Sequence, residues 1–130
     1  MPLVRIDLLT GKSREYRVQL GDVVYRTLVE VLKVPDDDRF QVIAEHERSS
    51  MPYAQDYLGI HKTDDTVFIQ ITLNSGRDVS LKQQFFKALA DSLHTQLHLR
   101  REDVFVNLVE VPKENWSFGN GEAQYAADTI

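Results

Sequence analysis

Apolar and polar residues alternate in two stretches of the chain, as they do in β-strands that cover a core with one face. Residues 2–9 (PLVRIDLL) and 66–73 (TVFIQITL) have this pattern. Residues 40–46 (FQVIAEH) and 104–111 (VFVNLVEV) are two further short apolar runs that contain β-branched residues. We therefore predict four strands.

A longer stretch with apolar residues at helical spacing lies between the two strands of each pair. The helical apolar positions are Leu20, Val24, Leu28 and Leu32 in residues 14–33, and Phe85, Leu89, Leu93 and Leu97 in residues 79–98. The Val34-Pro35 step ends the first helix, because proline disfavours helical geometry in the residue before it. Each half of the chain is thus predicted to run strand, helix, strand.

The two halves also align with each other at an offset of 65 residues. Residues 2–45 align without gaps with residues 67–110, and nine of the 44 pairs are identical. The identical pairs include Gly11 with Gly76, Asp38 with Asp103 and Phe40 with Phe105, and Lys12 aligns with Arg77. Because the order of predicted elements also repeats, the alignment indicates a duplicated unit.

Two β-α-β units are expected to form one α/β domain over residues 1–130, which some schemes class as α+β. The units cover approximately residues 2–46 and 66–111, a polar and irregular segment at 47–65 connects them, and residues 112–130 form a C-terminal tail. The strands of each unit should be parallel and joined by a right-handed crossover. The predicted fold is a four-stranded sheet with both helices on one face.

The opposite face of such a sheet would be left without cover. Strands such as VFIQITL and VFVNLVEV are too apolar for that face to stay in water. Packing of several copies around a symmetry axis would cover it. The alternative is a monomer in which segment 47–65 and the tail cover the face.

Composition excludes several classes of protein. Hydrophobic residues make up 42% of the chain and charged residues 27%, and the formal net charge of −5 argues against an electrostatic nucleic-acid binder. No apolar run is long enough to span a membrane. The absence of cysteine rules out disulfides and thiolate chemistry. The start has none of the regions of a signal peptide, so we expect a cytoplasmic protein.

Several candidate residues have ordinary explanations when taken one at a time. Proline is common at the start of a strand, which would account for Pro2. Residues 36–38 (DDD) are typical of a solvated turn, and Arg77 aligns with the charged Lys12, which is compatible with a surface cation. The pair at His94 and His98 lacks a third ligand nearby, so we expect no metal site.

In combination, these stretches resemble a known family. Pro2 begins the first strand of a duplicated β-α-β chain, Asp38-Arg39-Phe40 follows the first helix, Arg77 follows the third strand, and W-S-F-G-N-G begins at Trp116. This set, in this order and spacing, is similar to the malonate semialdehyde decarboxylase group of the tautomerase superfamily. The resemblance covers essentially the whole chain.

The resemblance implies a homotrimer and an enzyme without a cofactor. It further implies that Met1 is removed, so that Pro2 becomes a free secondary amine and the catalytic group. Asp38 corresponds to the active-site aspartate of the group, and Arg77 to the second arginine of its R-P-R motif. The implied pocket aromatics are Trp116, Phe118 and Tyr125.

The chain departs from the group at one position. The first arginine of the R-P-R motif corresponds to Ser75, so one cation is missing. We include Arg39 among the expected pocket residues as a cation that is available to compensate. The exact reaction, decarboxylation or tautomerisation, stays open on this ground.

The chemistry that these residues offer is that of a small carboxylate-bearing carbonyl or enol substrate. An α-amine has a pKa of about 7.7–8.0, so Pro2 could act as acid, base or amine nucleophile near neutral pH. Arg77 would bind the substrate carboxylate through its planar guanidinium. Asp38 could instead activate water for addition to an unsaturated acid, as in a hydratase or dehalogenase. A non-catalytic trimeric interaction protein on the same fold is the remaining alternative.

Overall fold

The computed structural model describes residues 2–127. Its strands and helices, in chain order, are β1 (Leu3–Leu9), α1 (Arg14–Leu32), β2 (Gln41–His46), β3 (Asp56–Tyr57), β4 (Ile60–His61), β5 (Val67–Asn74), α2 (Val79–Leu97), β6 (Val104–Val111) and α3 (Gln124–Ala127). Single 3-10 turns occupy Arg48–Ser50, Arg101–Asp103 and Lys113–Asn115. The four predicted strands and two predicted helices are confirmed, and none of their ends differs from the prediction by more than one residue.

Both long helices have caps at equivalent positions of the repeat. The side chains of Ser13 and Asp78 each accept a hydrogen bond from the backbone N–H three residues later, at 3.0 and 2.8 Å. At the other end, Lys33 and His98 adopt left-handed conformations with φ of 60° and 56°. Because all four cap positions are also 65 residues apart, the duplication extends to the details of how each helix begins and ends.

The main sheet has the strand order β2-β1-β5-β6. Strands are parallel within each unit, and β1 is antiparallel to β5, with Leu3 opposite Thr72. The beginnings of β1 and β2 therefore meet the ends of β5 and β6 at one end of the sheet. We call it the Pro2 end; it contains Pro2, residues 38–40, residues 74–77 and residues 111–118.

Both long helices pack on the same face of the sheet. The core between them is built from alternate strand residues and one side of each helix: Val4, Ile6, Leu8, Ile69, Ile71, Leu73, Leu20, Val24, Leu28, Phe85, Leu89 and Leu93. These side chains have at most 2% of their surface exposed. The predicted arrangement, with both helices on one side, is confirmed. No helix in the described part of the chain is long and apolar enough to cross a bilayer.

The other face of the sheet, which we call the open face, stays exposed in the single chain. It carries apolar side chains near both ends of the sheet, among them Leu3, Val42 and Phe105, each nearly half exposed. Its middle is polar, where Arg5 and His46 both contact Asp7, the histidine Nε2 at 2.6 Å from the carboxylate. Within residues 2–127, segment 47–65 and the tail thus leave these apolar side chains nearly half exposed.

Segment 47–65 is more regular than the sequence predicts. Its residues form a small hairpin, β3–β4, whose turn consists of Leu58 and Gly59 with φ of 53° and 76°. Two consecutive positive φ values are typical of tight hairpin turns, but leucine is uncommon there. The prediction of an irregular segment was wrong at this hairpin, because a turn that begins with Leu58 has no sequence pattern typical of a hairpin turn.

A buried aspartate anchors the chain as it enters β5. Asp103 has no exposed surface, and its carboxylate accepts bonds from the backbone N–H and the hydroxyl of Thr63 at 2.7 and 2.6 Å. Asp103 is the repeat partner of Asp38. The same residue type at equivalent positions therefore has a structural task in the second unit, while Asp38 lies at the Pro2 end.

Candidate active site

Pro2 lies directly before β1 and is buried. Backbone pairing places it between the start of β2, where Val4 N–H bonds the Phe40 carbonyl at 2.9 Å, and the end of β5. The fold thus brings Pro2 next to segments that are about 40 and 70 residues away along the chain. Met1, whose removal the resemblance implies, lies outside the described residues.

A cleft of about 240 Å³ opens at Pro2. Its lining residues are Pro2, Leu3, Phe40, Trp116, Ser117 and Phe118. Three of the residues predicted from the sequence, Pro2, Trp116 and Phe118, therefore meet in one cavity. Leu3 and Phe40 enlarge its apolar wall, and such a wall excludes water from a small bound molecule.

The aromatic wall of the cleft is a stack of three rings. The Trp116 and Phe118 rings are nearly parallel, 5.6 Å apart, and Tyr125 packs edge-on against Phe118 at 5.1 Å. Tyr125 does not line the cavity itself but supports the ring that does. Such ring pairs stabilise their arrangement by about 0.5–1.5 kcal/mol each beyond burial.

The turn after Phe118 explains the glycines of the W-S-F-G-N-G motif. Gly119, Asn120 and Gly121 all have positive φ, a region that glycine and asparagine tolerate best. Gln124 closes this turn, because its side chain accepts from the Phe118 N–H at 2.9 Å and donates to the Gly119 carbonyl at 3.0 Å. The motif thus returns Tyr125 to the ring stack.

Asp38 lies in the loop between α1 and β2, two residues before Phe40. Its backbone N–H donates to the Pro35 carbonyl at 3.0 Å. Burial raises the pKa of the Asp38 carboxyl above its usual value, and the neighbouring Asp37 carboxylate raises it further. A carboxylate with a raised pKa is a better proton acceptor than an ordinary aspartate.

Arg77 is held by two main-chain carbonyls. Its guanidinium donates to the carbonyls of Asn74 and Leu32, both at 3.2 Å. Leu32 is the last residue of α1, where unpaired carbonyls and the helix dipole favour a cation. Arg77 thus connects the end of α1 to the loop after β5, at the Pro2 end but outside the lining of the cleft.

Arg39 and Ser75, the residue that replaces the first arginine of the R-P-R motif, both lie outside the lining of the cleft. Arg39 points to α1, where it bonds Asp22 at 2.8 Å and lies 4.9 Å from the Tyr25 ring centre. It is not among the residues that line the cleft. Ser75 is exposed, and its backbone N–H donates to the Val111 carbonyl at 3.0 Å. The position of the absent arginine is therefore open to solvent.

Sequence reasoning did not identify Asn74, Leu3 or Ser117 as part of the site. The Asn74 side chain accepts a hydrogen bond from the Trp116 indole at 2.7 Å. One signal was available: alternation along β5 places Asn74 on the open face, the same face as Leu3. Within residues 2–127, no group of three or more histidine, aspartate or glutamate side chains could hold a metal ion.

The sequence of this chain is similar to those of known proteins. The sequence model of a family described as "Tautomerase enzyme" matches residues 38–119, and a second with the same description matches residues 2–59. The probable tautomerase YusQ of Bacillus subtilis (strain 168) is 38% identical over 124 residues, 95% of this chain and 98% of the relative. The probable tautomerase YrdN of the same organism is 36% identical over 96% of both chains.

Solved structures give the same result. The FG41 malonate semialdehyde decarboxylase inhibited by 3-bromopropiolate is 37% identical, with a TM-score of 0.89 over 98% of this chain and 97% of that one. A malonate semialdehyde decarboxylase studied as wild type, proline-to-alanine mutant and inactivated enzyme has the same TM-score at 27% identity, over 98% of both chains. A fused 4-OT trimer, 22% identical with a TM-score of 0.77 over 95% of this chain and 98% of that one, shares the fold.

The family match spans most of the chain, and the relatives are similar over nearly their whole length. This chain therefore belongs to the tautomerase family, in its malonate semialdehyde decarboxylase-like group, and is an enzyme of that superfamily.

Proposed function

We propose that this enzyme acts on a small carboxylate-bearing carbonyl or enol substrate, with Pro2 as acid, base or amine catalyst and Arg77 as the carboxylate anchor. Decarboxylation of a β-carbonyl acid and tautomerisation are the reactions that fit best. The observation that carries the proposal is that buried Pro2 lines an aromatic cleft. The proposal requires no cofactor, nucleic acid or membrane and places the enzyme in the cytoplasm.

The nitrogen of Pro2 becomes reactive only when no residue precedes it. With Met1 attached it is an amide nitrogen, which does not take up a proton at neutral pH. After removal of Met1 it is a secondary amine with an ordinary pKa of about 7.7–8.0. The pyrrolidine ring and the cleft wall then fix the direction of its N–H bonds.

Decarboxylation would use the amine in one of two ways. As an ammonium, Pro2 would donate a hydrogen bond to the β-carbonyl oxygen while the bond to the carboxylate breaks, carbon dioxide leaves and the electron pair forms an enolate. As a neutral amine, it would attack the carbonyl carbon and expel water to give an iminium, whose nitrogen receives the same electron pair. In both cases the new carbanionic carbon then takes up a proton. In the second case, water adds back to the resulting iminium, which releases the carbonyl product and the free amine.

The contacts of Arg77 support its proposed role. Two of its five N–H donors bond main-chain carbonyls, and these bonds hold the guanidinium at the Pro2 end in a fixed orientation. Other donors on the same planar group are available to a substrate carboxylate. A cation that is already positioned loses less conformational entropy when it binds an anion.

Hydration of an unsaturated acid is the second candidate reaction. The raised pKa of Asp38 favours it as a general base that removes a proton from water. The malonate semialdehyde decarboxylase relative is described with both decarboxylase and hydratase activities. Replacement of Asp38 by asparagine separates the two: hydration should be lost, whereas tautomerisation through Pro2 should persist.

We predict that 3-bromopropiolate, which inhibits the FG41 relative, modifies Pro2 covalently. A free amine on a residue that lines the cleft is the group expected to react with an electrophilic acetylenic acid bound there. Mass spectrometry of the digested protein should show the added mass on the peptide that begins with Pro2. A chain that retains Met1 is the control and should stay unlabelled at Pro2, whose nitrogen is then an amide. Labelling of a lysine with Pro2 untouched would contradict the proposal.

We also propose that the enzyme is a homotrimer whose open faces pack together. The exposed apolar side chains of Leu3, Val42 and Phe105 support it, since packing against other copies would remove them from water. Three chains of 15.0 kDa should give about 45 kDa by light scattering. Val42→Lys should lower that mass, whereas Val18→Lys on the outside of α1, with the same exposure of about half, should not. A wild-type mass of one chain at micromolar concentration would refute the trimer.

A further inference from the structure

Asn74, the last residue of β5, bonds two of the groups assigned to the site. Its side-chain oxygen accepts a hydrogen bond from the Trp116 indole at 2.7 Å. Its main-chain carbonyl accepts one from Arg77 at 3.2 Å. Because Asn74 is part of the paired sheet, with Val111 as its neighbour in β6, it is a rigid base for both contacts.

The bond to Asn74 also determines how the tail is held. Other hydrogen bonds of residues 113–125 that join described residues stay within the tail or reach Pro112, such as those of Gln124 with Phe118 and Gly119. The bond from Trp116 to Asn74 is the one that connects this part of the described chain to the sheet. The ring stack that forms the cleft wall is therefore tied to β5 at Trp116.

We propose that Asn74 is a positioning residue that holds Trp116 in place as the wall of the Pro2 cleft and so sets the space that the substrate occupies. Without an acceptor, the half-buried indole N–H would be left unpaired. The ring would then lower its free energy by turning so that the N–H bonds water. The three-ring stack would turn with it, because Phe118 packs on Trp116. The kinetic consequence rests on the proposed function; the structural consequence does not.

The sequence offers a direct probe, since Trp116 is its single tryptophan. In Asn74→Leu, Trp116 fluorescence should shift to longer wavelength and be quenched more strongly by acrylamide. KM for the substrate should rise about three- to tenfold while kcat changes little, because one neutral hydrogen bond that orders the binding wall is lost. Asn74→Asp keeps an acceptor for the indole and should restore emission and quenching. KM is not compared in this variant, because its new carboxylate repels a carboxylate substrate.

Two further variants separate this role from a general loss of structure. Asn115→Leu places the same change next to Trp116 at an exposed asparagine for which the described residues show no side-chain hydrogen bond, and it should leave all three readouts unchanged. In a Trp116→Phe background, where the indole donor is absent, Asn74→Leu should change KM no further. If Asn74→Leu does not fold, Asn74→Ala removes the same acceptor with less bulk.

Unchanged emission and quenching in both Asn74→Leu and Asn74→Ala would overturn the inference. So would a KM increase that persists fully in the Trp116→Phe background. Failure of the proposed function has a different signature, because full activity of a Pro2 variant would leave the fluorescence and quenching results as they are.

Discussion

Replacing Pro2 by alanine is expected to lower kcat/KM by about 10²- to 10⁴-fold, the range that a positioned acid or base usually contributes. Alanine at this position still presents an amine once Met1 is gone. That primary amine, however, rotates freely and lacks the ring by which Pro2 packs beside Leu3 and Phe40 in the cleft. Steady-state kinetics with acidic carbonyl and enol substrates would measure the change.

A second form of the protein tests the same point without changing the Pro2 side chain. A chain that keeps Met1 ahead of an intact Pro2 should lose activity to the same degree, because its nitrogen is an amide. Val79→Ala, an exposed change at the start of α2, is the neutral control. Full activity of Pro2→Ala would remove Pro2 from the mechanism and favour a non-catalytic role for this fold.

The elements of this fold could be predicted because one-sided burial leaves a regular pattern in the sequence. In β5, for example, Ile69 and Ile71 face the core, while Gln70 between them faces the open side. The same logic places Leu89 and Leu93 on the inner side of α2. Each of these assignments depends on neighbours within one element, so the sequence alone was sufficient.

The contacts of the candidate site depend on register between distant segments, and no pattern in the sequence specifies that. Arg77 is 45 residues from Leu32, and Trp116 is 42 residues from Asn74. The resemblance to a family supplied Pro2, Trp116 and Phe118 of the cleft lining but not the bonds that hold them. Those bonds became visible only when the sheet order brought the four chain segments to the Pro2 end.

The roles of the two equivalent aspartates of the repeat also could not be predicted from the sequence. Asp38 and Asp103 occupy equivalent positions, and the sequence alone could not separate their roles. Asp103 is buried because segment 62–66 returns beside it and offers Thr63 as a donor, as the chain enters β5. Asp38 lies instead in the loop between α1 and β2 at the Pro2 end, where its backbone N–H donates to the Pro35 carbonyl.

Substituting Arg77 by methionine is expected to reduce both activity and stability, for separate reasons. Loss of a pre-oriented cation that pairs with a substrate carboxylate should lower kcat/KM by about 10²- to 10³-fold. Loss of the bonds to the Leu32 and Asn74 carbonyls should lower the free energy of unfolding by about 1–3 kcal/mol, since charged donors are lost at a half-buried site. Urea unfolding and kinetics at a temperature well below the transition would measure the two effects independently.

The repeat supplies a matched control at Lys12, the partner of Arg77 in the first unit. Lys12 pairs with Asp65 at 2.5 Å in a solvent-accessible place, so Lys12→Met should cost about 1 kcal/mol or less and leave kinetics unchanged. Arg77→Lys keeps the charge without the planar fork, and it should recover only part of both losses. If Arg77→Met lost stability but kept its KM and kcat, the role of Arg77 would be only to hold the end of α1 against the loop after β5. The substrate carboxylate would then need another partner at the Pro2 end.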